Sequence, residues 1–237
     1  MKQVNLILQS KGGVGKSLLT WFLANHYSDN SNVLFMDVDE STRTSSSRLA
    51  SILSSSDRSL FYPILNEQKK LEREYFLSLF ERISNLETEV IFLDFGAPES
   101  EEFRKLLEYE ISAEDLSIEL SAMGISLALY IVIAGRDAFE SCSRFLFSMR
   151  SIIGAHLEVK VLLNEGTFGG REDLNLVIER LSKMGVSPIY PFGNLGESQS
   201  GRDIIELISI GKKPENLSLA MKLTFRKAMN QIEALLN

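Results

Sequence analysis

Two lysines bracket a run of glycines in the stretch LQSKGGVGKSLLT, Leu8 to Thr20. Gly12, Gly13 and Gly15 let the backbone approach phosphate oxygens and turn its N–H groups inward. The apolar run before the loop reads as a strand and the segment after it as a helix, so the positive end of that helix adds to the cradle. In this setting Lys16 reaches the β- and γ-phosphates of a nucleotide, and Ser17 ligates Mg²⁺. Position 10 is Ser, where the common Gly-x-x-x-x-Gly-Lys-[Ser/Thr] pattern has Gly. A second lysine, Lys11, stands on the near side of the loop, beyond what one phosphate site needs. Acids stand at two other strand ends, Asp37 and Asp39 in LFMDVDES and Asp94 in VIFLDFGAPES. Ligands of open α/β sheets gather at the carboxyl ends of strands, so these acids are expected beside Ser17 and its magnesium. Asn164 closes VLLNEG, where its amide suits an adenine edge or, equally, a turn before Gly166.

The elements that must position these groups are short β-rich runs alternating with helix-length segments. Strands are expected at Val4–Gln9, Asn32–Asp39, Glu89–Gly96, Ser126–Gly135, Glu158–Gly166 and Ser187–Gly193. Several are apolar at consecutive positions, as strands covered on both faces are. Helices are expected from Gly15, within Glu67–Ser84, from about Glu99, from Asp137, Arg171 and Gly201, and from about Pro214. The pattern predicts α/β architecture: one P-loop domain over residues 1–237, with a mostly parallel twisted sheet and helices on both faces. The serine-rich stretch Ser41–Ser59 follows an Asp-rich strand end, where functional loops occur.

Composition narrows the function classes. The 237 residues carry a net charge of −7, which disfavours nucleic acid unless a local basic patch exists. Cys142 is the single cysteine, so no intrachain disulfide forms, in keeping with a reducing compartment. No apolar run is long enough for a membrane span, and a cytoplasmic protein is expected. His26 and His156 lack partners at ligand spacing. Trp21 and Cys142 read as core, and Glu99–Glu119 as a solvated acidic helical face or a surface for a partner. In the tail, Leu219, Leu223, Met229, Ile232 and Leu236 recur at helical spacing beside Lys222, Arg226 and Lys227. A helix packed on the sheet is the favoured reading there; a membrane or DNA contact is the alternative.

The form Lys-Gly-Gly-x-Gly-Lys-Ser resembles the deviant Walker A loop of the ParA/MinD superfamily of dimerising ATPases. The resemblance implies that Lys11 is a signature lysine, reaching the nucleotide of a facing subunit in an ATP-bound homodimer. A cation given in trans of this kind contributes on the order of 10³–10⁵ in rate. It further implies nucleotide contacts from Lys11, Gly12, Gly13, Val14, Gly15, Lys16, Ser17, Leu18 and Asn164. Asp39 would orient the attacking water with Asp37 as its neighbour, and Asp94 would hold Mg²⁺ through water. Ser17, Asp39 and Asp94 thus form the metal side, and Lys11, Lys16 and Asp39 the catalytic set. DFGAPE corresponds to the switch segment that senses the γ-phosphate.

Two positions depart from the superfamily. Glu40-Ser41 replaces the frequent Pro-Gln, and Leu18 replaces a Thr whose hydroxyl would meet the α-phosphate. Both point to slow hydrolysis. One cysteine excludes iron–sulfur members of the superfamily, and the tail has no tyrosine cluster of the kind that bacterial tyrosine kinases carry. The opening VNLILQSKGGVGKS, FLDFGAPES, LYIVIAGRDAF and GRDIIELI are similar to the TraL-type proteins of conjugative transfer. Asp137, in AGRD, falls where superfamily members place an acid that meets the partner's signature lysine. The resemblance implies a switch ATPase acting in plasmid partition or conjugative transfer through an activating partner. The alternatives are a nucleotide-gated adaptor with little hydrolysis, or an ATP-dependent metabolic enzyme on the same fold.

Overall fold

Apolar strands without alternation need cover on both faces, and the computed structural model supplies it. It describes residues 1–39, 49, 51–53, 55–64 and 72–237. In chain order the elements are β1 (Lys2–Leu8), α1 (Lys16–His26), β2 (Val33–Asp37), β3 (Ser59–Phe61), α2 (Glu74–Ser84), β4 (Val90–Asp94), α3 (Ala97–Tyr109), α4 (Ala113–Ala122), β5 (Ile125–Ile133), α5 (Phe139–Ile153), β6 (Glu158–Asn164), α6 (Arg171–Lys183), β7 (Ile189–Phe192), α7 (Gln199–Ser209) and α8 (Leu219–Leu236). The sheet order is β3-β2-β4-β1-β5-β6-β7. Every neighbouring pair is parallel, so all seven strands end at one edge. Ile7 and Asp37 are both register partners of Asp94, which sets the phosphate loop and the two acidic strand ends at one level.

Aromatic packing closes the core on both faces. Phe92 stacks on Phe35 at 5.3 Å, and Tyr130 meets Phe92 edge-on at 6.1 Å. Phe76, Phe95 and Phe103 form a triangle that joins α2 and α3 to the end of β4. Trp21 and Phe22 of α1 pack on Phe225, which seats α8 against α1. The buried Arg58 donates to the carbonyls of Val33 (3.1 Å), Ser28 (2.7 Å) and Tyr27 (2.7 Å), fastening the approach to β3 onto the α1–β2 turn. Burial pulls its pKa below the usual arginine value.

The sheet is wholly parallel, within the expectation of a mostly parallel one. The fold corrects several other expectations. β3, three half-buried residues that begin at the last serine of the serine-rich stretch, adds a strand beyond those expected. The second strand ends at Asp37, so Asp39 lies in the loop beyond. The acidic stretch 99–119 is two helices, divided where Ser112 caps α4 by accepting from the N–H of Asp115. It is not one solvated face. Glu99 is only 3% exposed, and Arg104 pairs with Glu101 and Glu108 while Lys105 pairs with Glu102. The last helix starts at Leu219, behind a Ser218 cap. It does pack on the molecule, through Phe225, Ala228, Ile232 and Leu235, but Leu219 and Leu223 face water. Glu40, Ser41, much of the stretch 41–59, and residues 67–71 at the head of the predicted 67–84 helix lie outside the described residues. Among the described residues no helix is long and apolar enough to cross a membrane.

Phe92→Ala removes a ring on which Tyr27, Phe35 and Tyr130 pack. It is expected to cost about 3–5 kcal/mol of stability, measured by urea unfolding followed through Trp21 fluorescence.

Candidate nucleotide site

β1 delivers the chain to the sheet edge, and the fully buried Gln9 anchors it there. The Gln9 side-chain N–H₂ donates to the carbonyls of Val132 (2.8 Å) and Cys142 (3.4 Å). Beyond it Lys11, Gly12 and Gly13 are exposed and Val14 is buried. Gly13 (φ +75°) and Gly15 (φ +107°) lie in the left-handed region that favours glycine. Gly15 is the N-cap of α1 and gives it no side-chain hydrogen bond. The positive end of α1 therefore opens onto the loop with donors to offer an anion. A Cβ on Gly15 would collide with the amide nitrogen of Asn164 and stand 3.2 Å from its Cγ.

Lys16 is 9% exposed, and its ammonium donates to the Gln9 carbonyl at 3.0 Å. Burial lowers its pKa below the usual lysine value, while Asp94, Asp39 and Glu99 act in the opposite sense. Ser17 follows, half-buried in the first turn of α1. Asp37 and Asp94 are buried at the ends of β2 and β4. The Asp37 carboxylate accepts from the Asp39 N–H at 3.0 Å, a local bond that turns the chain after β2. The Asp39 carboxyl carbon then stands 3.0 Å from where a Cβ on Gly96 would be, and the Glu99 carboxyl carbon 2.9 Å from the same point. Gly96 is thus a glycine that two carboxylates press upon.

Lys16, Asp39 and Asp94 come together as expected, and the structure adds three residues to them. Glu99 brings a third carboxylate near Lys16. Ser100, fully buried, accepts from the Gln9 N–H (3.1 Å) and donates to the Gly96 carbonyl (2.7 Å). Gln9 joins both to the loop. The sequence held one signal for Glu99: an acid three residues after a helix N-cap occupies the capping-box position.

Asn164 ends β6, the sixth strand once β3 is counted, and donates from Nδ2 to the Val14 carbonyl at 2.9 Å. It braces the loop. Its Oδ1 and the Leu18 side chain both lie against Gly193, 3.2 and 3.5 Å from a Cβ there, so the three residues form one wall. Beside them both oxygens of Glu165 are held, by Asn194 (2.7 Å) and by Gln231 of α8 (2.6 Å). Asp137 is exposed on the short turn Arg136–Ala138 after β5. Among the described residues no three His, Cys, Asp or Glu side chains are grouped to hold a metal by themselves. Of the expected metal side, Ser17 is half-buried in the first turn of α1, Asp94 is buried at the end of β4, and Asp39 lies in the loop after β2.

No protein-family model matches the chain, and no curated protein matches it in sequence. Solved structures do match in shape. A Borrelia burgdorferi protein described as a plasmid partition protein, bound to AMPPNP, superposes with a TM-score of 0.60 at 17% identity, covering 100% of this chain and 99% of its own. Apo McdA of Cyanothece gives 0.55 at 16%, covering 100% of both chains. The Aquifex aeolicus MinC:MinD complex gives 0.57 at 14%, covering 99% of this chain and 95% of the other. At such identities the likeness establishes the fold, which is that of the ParA/MinD-type ATPases.

Glu99→Gln removes a negative charge that stands near Lys16. It is expected to tighten nucleotide binding several-fold, read by titration with a fluorescent ATP analogue. Gly15→Ala combines a disfavoured φ with a collision at Asn164 and is expected to weaken binding at least tenfold in the same assay.

Proposed function

We propose that this chain is a Mg²⁺-dependent ATPase that dimerises on ATP and separates on hydrolysis. The observation that carries this reading is the opposite setting of the two lysines on one loop. Lys16 is buried and held inward, whereas Lys11 is exposed. ATP phosphates draw the Lys16 ammonium from the Gln9 carbonyl and accept from the N–H groups at the head of α1. Ser17 and Asp94, with Asp39 beside them, would hold Mg²⁺, which would offset phosphate charge when bound. Asp39 orients the attacking water. Lys11 crosses to the nucleotide of the facing subunit and neutralises charge that grows in the transition state. The free hydrogen and Oδ1 of the Asn164 amide serve the adenine edge, with Leu18 beneath. Asp137 receives the partner's lysine.

The proposed use is positioning or transfer of DNA or of a transfer apparatus in the cytoplasm, in plasmid partition or in conjugation of the TraL type. A protein partner stimulates hydrolysis. The chain's net charge of −7 gives no general attraction to DNA, so cargo is reached through that partner. The fold shared with plasmid-partition and MinD proteins supports this setting.

Leu18 favours a second reading, a nucleotide-gated adaptor with little turnover. Its side chain packs toward Gly193 and has no hydroxyl for the α-phosphate. Single-turnover hydrolysis by the ATP-loaded dimer distinguishes the two.

Sedimentation with ATP, with ADP and without nucleotide is expected to give a dimer with ATP alone; a monomer in every state removes the proposal. Lys11→Ala is expected to bind ATP as the parent does and to lose hydrolysis by about 10³-fold. Leu18→Thr restores a hydroxyl donor and is expected to tighten ATP binding by about 1 kcal/mol, measured by calorimetry.

A further inference from the structure

We propose that Ser100 is a positioning residue that carries the state of the phosphate loop to helix α3. The inference rests on the nucleotide-binding reading of the loop. Two adjacent peptide groups meet at the Gln9 α-carbon. One presents the carbonyl that accepts from the Lys16 ammonium at 3.0 Å; the other presents the N–H that donates to Ser100 Oγ at 3.1 Å. Ser100 spends its single hydroxyl proton on the Gly96 carbonyl at 2.7 Å, which fixes the direction of the chain of bonds. Gln9 and Ser100 are fully buried, so water cannot substitute for a missing partner. The Gln9 side chain is itself tied to Val132 and Cys142. With that end anchored, a change at its carbonyl is taken up by rotation of the two peptide groups about the α-carbon.

The chain of bonds ends where the chemistry of the site and the outer surface meet. Gly96 is the N-cap of α3 and carries the Asp39 and Glu99 carboxylates against its α-carbon. Removal of the Lys16 ammonium from Gln9 by phosphate therefore reaches the water-orienting acid and the first turn of α3 through one hydroxyl. On its outer side α3 shares with α5 a cleft of about 290 Å³, lined by Ser10, Arg104, Ser141 and Arg144 among others. A shift of α3 alters that cleft, so the outer surface next to the loop registers nucleotide.

The test compares hydrogen exchange over residues 95–107, with and without AMPPNP, in the parent chain, Ser100→Ala and Ser100→Thr. Binding of AMPPNP and ATP turnover are measured in parallel. In the parent, AMPPNP is expected to slow exchange in the first turns of α3. Ser100→Ala is expected to bind AMPPNP within threefold of the parent, to lose the exchange response, and to drop at least tenfold in turnover at saturating ATP with KM within threefold. Ser100→Thr restores both. Should Ser100→Ala not fold, Ser100→Cys replaces it, since the thiol, though larger than the hydroxyl, fills the position and weakens both bonds. The proposal is overturned by a folded Ser100→Ala that keeps the full response, by loss of affinity and turnover in step, or by a Thr variant that binds AMPPNP yet stays uncoupled. A parent chain that binds AMPPNP without any response in α3 overturns the coupling alone. A parent chain that does not bind it removes the reading of the loop, and the coupling with it.

Discussion

A buried ammonium organises this molecule. Taking the Lys16 cation out of water is costly unless carbonyls and carboxylates replace the lost hydration. The Gln9 carbonyl does so directly, and Asp94, Asp39 and Glu99 do so through their field. The same arrangement leaves the cation ready for phosphate, because a group already stripped of water interacts more strongly with an arriving anion than an exposed one does. The three acids have a second effect. They would also repel an arriving anion, so attraction from Lys16 and repulsion from the acids act at the same place.

Sheet topology makes that arrangement possible. β1 is central, and the chain runs to one side of it through β4, β2 and β3 and to the other through β5, β6 and β7. Strands that diverge from a central one leave a crevice at their carboxyl ends, and the glycine loop sits at that point. From one side come Asp94, Asp37 and Asp39. From the other come Asn164, which braces the loop from behind, and the Val132 carbonyl that receives Gln9. Opposite flanks of the sheet thus converge on seven residues of loop.

The phosphate loop, Lys16, Ser17 and the acidic strand ends were legible in the sequence because local spacing dictates them: a loop between strand and helix, and acids at the ends of apolar runs. What escaped was decided at a distance. β3 has three residues, its apolar run is broken at Pro63, and it is a strand where it pairs with the edge of β2. Glu99 sits in an acidic stretch whose other acids are more exposed, and only its place three residues after the Gly96 cap marks it as the inward one. Gln9 and Ser100 are separated by 91 residues and meet through a single hydrogen bond. In α8 the pattern announced a helix but misjudged its inner face, because Phe225 is drawn to Trp21 and Phe22, and that rotates Leu219 and Leu223 outward.

The clamp on Glu165 has a consequence for how such a chain tolerates change. Asn194 and Gln231 lie 37 residues apart; both side-chain amides donate to one carboxylate, and the Gln231 amide oxygen also accepts from the Asn194 backbone N–H. The segment between them, α7 and most of α8, leaves the wall that Asn164, Leu18 and Gly193 form and returns to it. The entropy of closing such an excursion grows only slowly with its length. Length changes can therefore accumulate in the turn 212–218 between α7 and α8, which is not buried, with little disturbance at Asn164, whereas replacing either amide would loosen the wall at once.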